Sequence, residues 1–246
     1  MRDFLERLTL SFHEAGYSIE LKEDMQEFAN LRGSTPDHAL IVPTFDITKS
    51  DQSKSRWLKV TGQNGKPAAF GAFKVFETND LGPLLKSGEI WYKYPPFKPM
   101  DIMCRTNFVK GKCFYRGGMY VYPGHRKSGL PFGLATYAQA IAIEEGIDWI
   151  IGQAFQEIID TGLPWHTYGF ETAELQYRSS RYCPLKGILG GRESALYLLT
   201  CSREKFVSNV LLANSFMTPG CYKDIAALAS EFKEINNPAK RASRTG

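Results

Sequence analysis

Hydrophobic positions recur along the chain with two periods, and each stretch reads as an element. Phe4, Leu5, Leu8 and Phe12 step by helical intervals, which predicts an amphipathic helix over residues 3–15. A second short helix is expected over 22–32, stopped near Gly33 and Pro36. "HALIVPTFDI" (38–47) reads as a strand interrupted by Pro43, and "TKSDQSKS" (48–55) as a polar loop. Two strand-like runs within 56–77 flank Asn64-Gly65. That pair suits a type I′ turn, in which both central residues take positive φ, so an antiparallel hairpin is expected. "GKCFYRGGMYVYP" (111–123) is a long strand, with a bulge or close approach at Gly117-Gly118.

The next stretch changes period. Leu130, Leu134, Tyr137 and Ile141 give one apolar face to a helix over 130–145, which Gly146 stops. "IDWIIGQA" (147–154) is a continuous apolar run, as in a strand buried on both faces. Strand, helix and strand within about 35 residues make a βαβ unit, so the two strands should be parallel with a right-handed crossover. A short helix at 155–161, a strand at 195–202 and two C-terminal helices, "REKFVSNVLLANSF" and "YKDIAALASEFKEI", complete the reading. Residues 78–112 are irregular and hold Trp91, Tyr92, Tyr94 and Phe97 among Pro83, Pro95, Pro96 and Pro99. A connection this long reads as a functional insertion, either walling an acceptor pocket or accommodating a bulky acyl chain. A lid packed on the sheet is the plain structural alternative.

Length and charge narrow the class. The 246 residues suit one domain, taken as 1–236, followed by a basic flexible tail at 237–246. The net charge is +4, and the tail supplies Lys240, Arg241 and Arg244 with no acid, so the body carries 4 − 3 = +1. A balanced body disfavours nucleic acid as a partner. The five cysteines are odd in number and lack C-x-x-C spacing, so neither a metal site nor a disulfide framework is expected. Reduced thiols point to a cytoplasmic location. The N-terminus lacks a signal-peptide core, and no run reaches the roughly 18 apolar residues of a membrane span, so no membrane partner is expected.

Candidate chemistry concentrates in "YVYPGHRKSGLPFG" (120–133), where a strand gives way to a basic, glycine-bearing loop and then a helix. Unpaired N–H groups at a helix start attract anions. Gly129 permits close approach, Ser128 is a candidate cap, Pro131 fits the first turn, and Arg126 and Lys127 add charge for phosphate. Gly124 and Gly129 have Walker A spacing, but Leu130 and Pro131 replace its Lys and Ser/Thr. The dinucleotide fingerprint G-x-G-x-x-G is missing. An ordinary basic turn is the competing reading.

The stretch resembles the acyl-CoA motif of the GNAT-type N-acyltransferases: an apolar strand ending in V-x-P, then R-x-x-G-x-[GA] opening a helix. Val121-x-Pro123 and Arg126-x-x-Gly129 match in order and spacing, and Gly169-Phe170 matches the Gly-Phe pair that ends a later helix in the family. The resemblance covers 113–172 and extends to the hairpin at 56–77. Two positions depart from it. Pro131 replaces a small Gly or Ala and removes an N–H, and Trp165 occupies the usual tyrosine slot, where an indole has no proton to give a thiolate.

The resemblance implies an α/β (α+β) fold, with a mixed, mostly antiparallel central sheet, a parallel βαβ unit at its centre and flanking helices. It implies transfer of an acetyl or longer acyl group from acetyl-CoA or another acyl-CoA to a small-molecule or peptide amine by direct attack. Backbone groups of Met119, Tyr120 and Val121 would bind the pantetheine arm. Arg126, Lys127, Ser128, Gly129, Leu130, Pro131 and Gly133 would hold the diphosphate. Tyr168 and His166, near the family's acid position, are the catalytic candidates, with Tyr168 equally readable as core packing. The strand 113–122 has no carboxylate, so the base would be His125, Glu157, Glu171 or a positioned water. An inactive acyl-CoA-binding sensor or interaction module, or an aminoacyl-type transferase on the same fold, are the alternatives. A homodimer is compatible with the sequence.

Overall fold

The computed structural model describes residues 1–35, 41–180, 183, 193–217 and 223–235. The expected N-terminal helix is α1 (Arg2–Glu14), with Phe4, Leu8 and Phe12 buried. A strand missed in the sequence, β1 (Tyr17–Lys22), follows it. Helix α2 (Met25–Gly33) starts at Asp24, whose carboxylate accepts from the N–H groups of Gln26 and Glu27 and so satisfies donors that the helix leaves open.

The strand expected over 38–47 does not form in its described part. Pro43–Phe45 is instead a 3-10 turn that buries Phe45 completely. Proline fixes φ for such a turn and has no N–H to give a ladder. Residues 36–40 lie outside the described residues.

The hairpin is present as β2 (Ser55–Gly62) and β3 (Pro67–Thr78), paired antiparallel. Its turn differs from expectation. Gly65 has φ +72°, but Asn64 does not take positive φ, so this is not a type I′ turn. The Gly62 N–H reaches Lys66 O at 2.9 Å, and Asn64 Oδ1 accepts from the Lys66 N–H at 2.9 Å. The asparagine side chain stabilises a longer loop, and only the glycine is left-handed.

The 78–112 segment carries one helix, α3 (Leu81–Ser87), capped by Asp80. Strand β4 (Gly111–Val121) has the expected bulge: Gly118 and Met119 lie between the Gly117–Ala72 and Tyr120–Phe70 pairs, opposite Gly71 alone. Helix α4 (Leu130–Glu144) and strand β5 (Trp149–Phe155) complete the βαβ unit. Then come α5 (Gln156–Asp160), α6 (Leu163–His166), β6 (Thr172–Tyr177), β7 (Leu196–Ser202), α7 (Arg203–Ser215) and α8 (Ile225–Ile235). The basic tail at 237–246 lies outside the described residues.

The described strands form one seven-stranded sheet in the order β1-β2-β3-β4-β5-β7-β6. Only β4 and β5 are parallel, and every other pairing is antiparallel. This is the mixed sheet with a central parallel unit that the GNAT resemblance implies. Helices α1, α4, α7 and α8 cover one face. Helices α2 and α3, the 3-10 turn and Ile90, Trp91 and Val109 cover the other. Helix α4 is buried nearly all round, including Thr136 and Gln139, because it lies between the sheet and three helices. Its one-faced apolar pattern is therefore too narrow a reading, and Tyr137 is only half-buried. Among the described residues no helix is long and apolar enough to cross a membrane.

Candidate active site

The parallel ladder is short. Cys113, Phe114 and Tyr115 pair with Trp149, Ile150 and Ile151, and there it ends. Beyond it β4 stays on β3 and β5 stays on β7, so the facing edges of 116–121 and 152–155 separate into a wedge. The bulge at Gly118-Met119 is the local cause, since an extra residue bends a strand and raises its twist. Gly118 sits at φ +61°. The result is unladdered backbone in the middle of a sheet, where N–H and C=O groups normally have partners.

The basic loop lies where α4 begins. Pro123–His125 forms a 3-10 turn, Lys127 takes φ +70° and Gly129, the N-cap, takes φ +79°. Left-handed residues on either side of Ser128 make a concave run of N–H groups of the kind that binds anions. Lys127 is a lysine in a region that favours glycine, so the loop holds strain. The N–H groups of Lys127, Ser128, Gly129, Leu130 and Phe132 have no partner among the described residues. Pro131 sits in the first turn, as expected. Arg126 and Lys127 are exposed.

Two expectations for this loop need correction. Ser128 does not cap the helix; its hydroxyl donates to His125 O at 2.5 Å. Gly133 does not offer a phosphate donor, because its N–H bonds Gly129 O at 3.0 Å. Its bare Cα instead makes room for helix packing, since a Cβ there would lie 2.5 Å from Phe12 and 2.8 Å from Ile225. Gly129 is closely packed as well. A Cβ at Gly129 would lie 2.5 Å from Ile225 O and 2.8 Å from Ala226 Cα, so α8 would have to move.

Inside the wedge, below α4, stands Arg116. Its Nη2 donates to Tyr168 O at 2.9 Å and its Nη1 to Ala135 O at 3.4 Å. The guanidinium lies 4.5 Å from the Phe170 ring centroid and 5.8 Å from that of Tyr168. Burial lowers its pKa from the ordinary value to about 10. Gly152, across on β5, has no side chain to obstruct this: a Cβ there would lie 2.9 Å from Phe170 Cζ and 3.1 Å from Arg116 O. The turn Tyr168-Gly169-Phe170 is held by further buried donors, Gln139 to Tyr168 O (3.2 Å) and Asn209 to Gly169 O (2.8 Å).

The opposite face of the wedge root is polar as well. Gln153 Oε1 accepts from Tyr115 Oη (2.9 Å) and Trp91 Nε1 (2.8 Å), and its Nε2 donates to Gln176 (2.6 Å). Trp91, from the aromatic segment, is thereby tied to β5. Tyr92, Lys93, Tyr94 and Pro96 continue outward along an open groove of about 800 Å³ shared with residues 47–52.

The candidate residues are distributed as follows. Met119 and Val121 pack with the α1–α4 core, as does Tyr168. Tyr120 points to the other core and stacks on Phe70 at 5.6 Å. Burial raises the Tyr168 pKa, and Arg116 opposes the shift. His166 Nδ1 is buried without a hydrogen-bond partner. The three side chains named as bases each have a partner: His125 Nδ1 with Tyr17 Oη at 3.1 Å, Glu157 with the Ser194 hydroxyl at 2.7 Å, and Glu171 with the Ser202 hydroxyl at 2.8 Å. Cys104, Cys113 and Cys201 are pushed up by burial to about 12, so they are neutral thiols.

Sequence reasoning missed Arg116, Gln139, Gln153 and Asn209. Arg116 left a signal, a lone charge inside the apolar run "CFYRGGMYV". Gln139 and Asn209 left none, being polar residues on helices with nothing local to show that they turn inward.

No family model matches the chain, and no curated protein does. Several solved structures are similar to it in part. Arabidopsis thaliana NAA60 in complex with acetyl-CoA has a TM-score of 0.48 at 10% identity, over 76% of this chain and 99% of that one. Spermidine/spermine N-acetyltransferase SpeG from Vibrio cholerae has 0.46 at 10%, over 78% and 97%. YncA, an acetyltransferase-like protein from Salmonella typhimurium with acetyl-CoA, has 0.43 at 13%, over 76% and 94%. The strand order and the wedge, rather than these likenesses, carry the fold.

Proposed function

We propose that the chain is an acyl-CoA-dependent N-acyltransferase that moves an acetyl or longer acyl group to a small-molecule or peptide amine. The observation that carries this reading is the wedge: two parallel strands that part after Tyr115 and Ile151, beside a helix whose uncapped start faces a strained basic loop. An acyl-CoA needs both features. Its diphosphate is an anion for the N–H groups of 127–130 and the charges of Arg126 and Lys127. Its pantetheine amides are partners for the open edge of Met119–Val121. A backbone N–H there, aimed at the thioester oxygen, contributes on the order of 3 kcal/mol to an oxyanion-like transition state.

In the reaction the neutral amine nitrogen attacks the thioester carbon, the C–S bond breaks, and its electron pair leaves on sulfur. One amine proton must go and the sulfur gains one. Tyr168 fits the acid role because its phenol carries its proton near neutrality, and burial does not favour losing it. His166, with a buried free Nδ1, fits the acceptor of the amine proton. Residues 1–236 act as one domain in this reading, in the cytoplasm.

Calorimetric titration with acetyl-CoA, CoA and ATP tests it. Micromolar binding of both CoA forms with weak ATP binding is expected, and Arg126→Glu should weaken CoA binding at least about tenfold with an unchanged circular dichroism spectrum. No binding of any of the three sinks the proposal. Thiol release from acetyl-CoA across an amine panel then tests turnover. A second reading, an inactive acyl-CoA-binding module, is favoured by Trp165 in the tyrosine slot and by the lack of a carboxylate on β4. Tight binding without thiol release on any amine would select it.

A further inference from the structure

Among the described residues Arg116 is the one Asp, Glu, Lys or Arg in the buried class, at 7% exposure. Among the described residues it has no counter-charge. The titratable groups that face it are Tyr168, from the turn before β6, and Cys201, from β7; no Asp, Glu or His from β4, β5, α4 or α7 does. Burial holds both of those groups protonated, so neither supplies a negative charge near neutrality. A lone buried cation is strongly unfavourable unless something pairs with it.

Holding the local structure does not require the charge. Ala135 O belongs to a helix and already accepts from the N–H four residues on. Tyr168 O also accepts from Gln139, and Gly169 O from Asn209. Neutral amides therefore anchor the turn without help from a guanidinium. The charge is also well placed for a different use. Arg116 follows the last laddered residue of β4 and precedes the bulge. Its contact on α4, Ala135, lies about 9 Å down the helix axis from Gly129, at six residues' rise. The guanidinium therefore lies on the α4 side of the sheet, beside the point where the parallel ladder ends and less than two helical turns below the loop.

We propose that Arg116 is the counter-charge for the CoA sulfur. This rests on the acyltransferase reading above. When the amine displaces the thioester, the C–S bond breaks and both electrons go to sulfur; Arg116 pairs with that thiolate until a proton reaches it. Such a role suits a chain in which Trp165 replaces the family's proton-donating tyrosine.

The test compares CoA with desulfo-CoA, which keeps every phosphate and amide but has no thiol. Affinities are measured by calorimetry from about pH 6.5 to about pH 8.5, over which a thiol with an ordinary pKa of about 8.5 stays at least about half protonated when free. Phosphate titration cancels in the ratio of the two ligands. If Arg116 lowers the bound thiol by one unit or more, the ratio of CoA to desulfo-CoA affinity rises with pH, at least about fivefold over this range. Arg116→Met should flatten the ratio to within about twofold, and Arg116→Lys should keep part of the rise. A ratio that does not change with pH in the unaltered protein overturns the inference, whether or not any variant folds. The same rise in Arg116→Met overturns it too. A purely structural Arg116 predicts one of these two results. Failure of both ligands to bind at any pH removes the acyltransferase reading, and this inference with it. Equal binding of the two at every pH removes only the inference.

Discussion

A lone charge buried in an interior normally costs several kcal/mol, so its persistence asks for a reason. Arg116 gives a way to measure it. Replacing it with methionine keeps the approximate volume, removes the charge, and leaves both carbonyls with other donors. The expected outcome for Arg116→Met in urea unfolding is a stability unchanged within about 1 kcal/mol, or raised. A loss of about 3 kcal/mol or more would mark the guanidinium as a structural clamp. The sequence shows the oddity of this residue, since a charge interrupts an apolar run, but not its partners. Tyr168 is 52 positions away and Ala135 is 19. Only the fold brings a strand residue under a helix and against a distant turn. Gly129 is half legible in the same way. Its place at the turn into the helix follows from the strand–loop–helix pattern, whereas its left-handed N-cap and its contact with Ile225 depend on the fold.

Single elements are legible where one strong local rule governs them. The hairpin is one such case, and its turn makes a prediction. Gly65 sits at φ +72° with nothing within 4 Å of the position an added Cβ would take, so only backbone strain opposes a side chain there. Gly65→Ala should destabilise by about 1–2 kcal/mol, and Gly65→Asn by clearly less, because asparagine tolerates the left-handed region. Equal losses, read from urea midpoints, would mean that the loop relaxes to another turn. The turn type itself departs from the Asn-Gly rule because Asn64 spends its side chain on the Lys66 N–H instead of adopting positive φ. The missed strands β1 and β6 are six residues each, at the two edges of the sheet. Their alternating Tyr17, Ile19, Leu21 and Ala173, Leu175, Tyr177 carry the period-2 signal, but over too few residues to stand out from a loop. At 38–47 the apolar run misleads in the opposite direction, because Pro43 turns a strand-like composition into a 3-10 turn that delivers Phe45 to the core.

At the scale of the whole molecule the sheet is closed on both faces, and its buried thiols tie stability to pH. Cys104, Cys113 and Cys201 lie 8%, 0% and 1% exposed, and burial raises each from an ordinary 9.0 to about 12. The folded chain therefore keeps these protons to higher pH than the unfolded chain. In the window from about pH 9 to about pH 12 the unfolded state binds fewer protons, so stability falls as pH rises; below about pH 9 both states are protonated and nothing changes. Arg116 does not offset this at the start of the window. Its pKa is lowered from 12.5 to about 10, so it remains charged in both states until about pH 10. Tyr115 and Tyr177, raised to about 12, begin to add to the loss only once an ordinary tyrosine ionises, at 10.0. At pH 10 each thiol costs on the order of 1 kcal/mol, a few kcal/mol together, which is a sizeable share of the roughly 5–15 kcal/mol typical of a folded domain. Urea unfolding under reducing conditions should therefore show a steep loss between pH 8 and pH 10. Cys201→Ala should remove about a third of that pH dependence, whatever it does to stability at pH 8. A stability that stays level across this range would mean that the thiols ionise as readily in the folded chain as in the unfolded one, and that the core around β4 and β7 admits water.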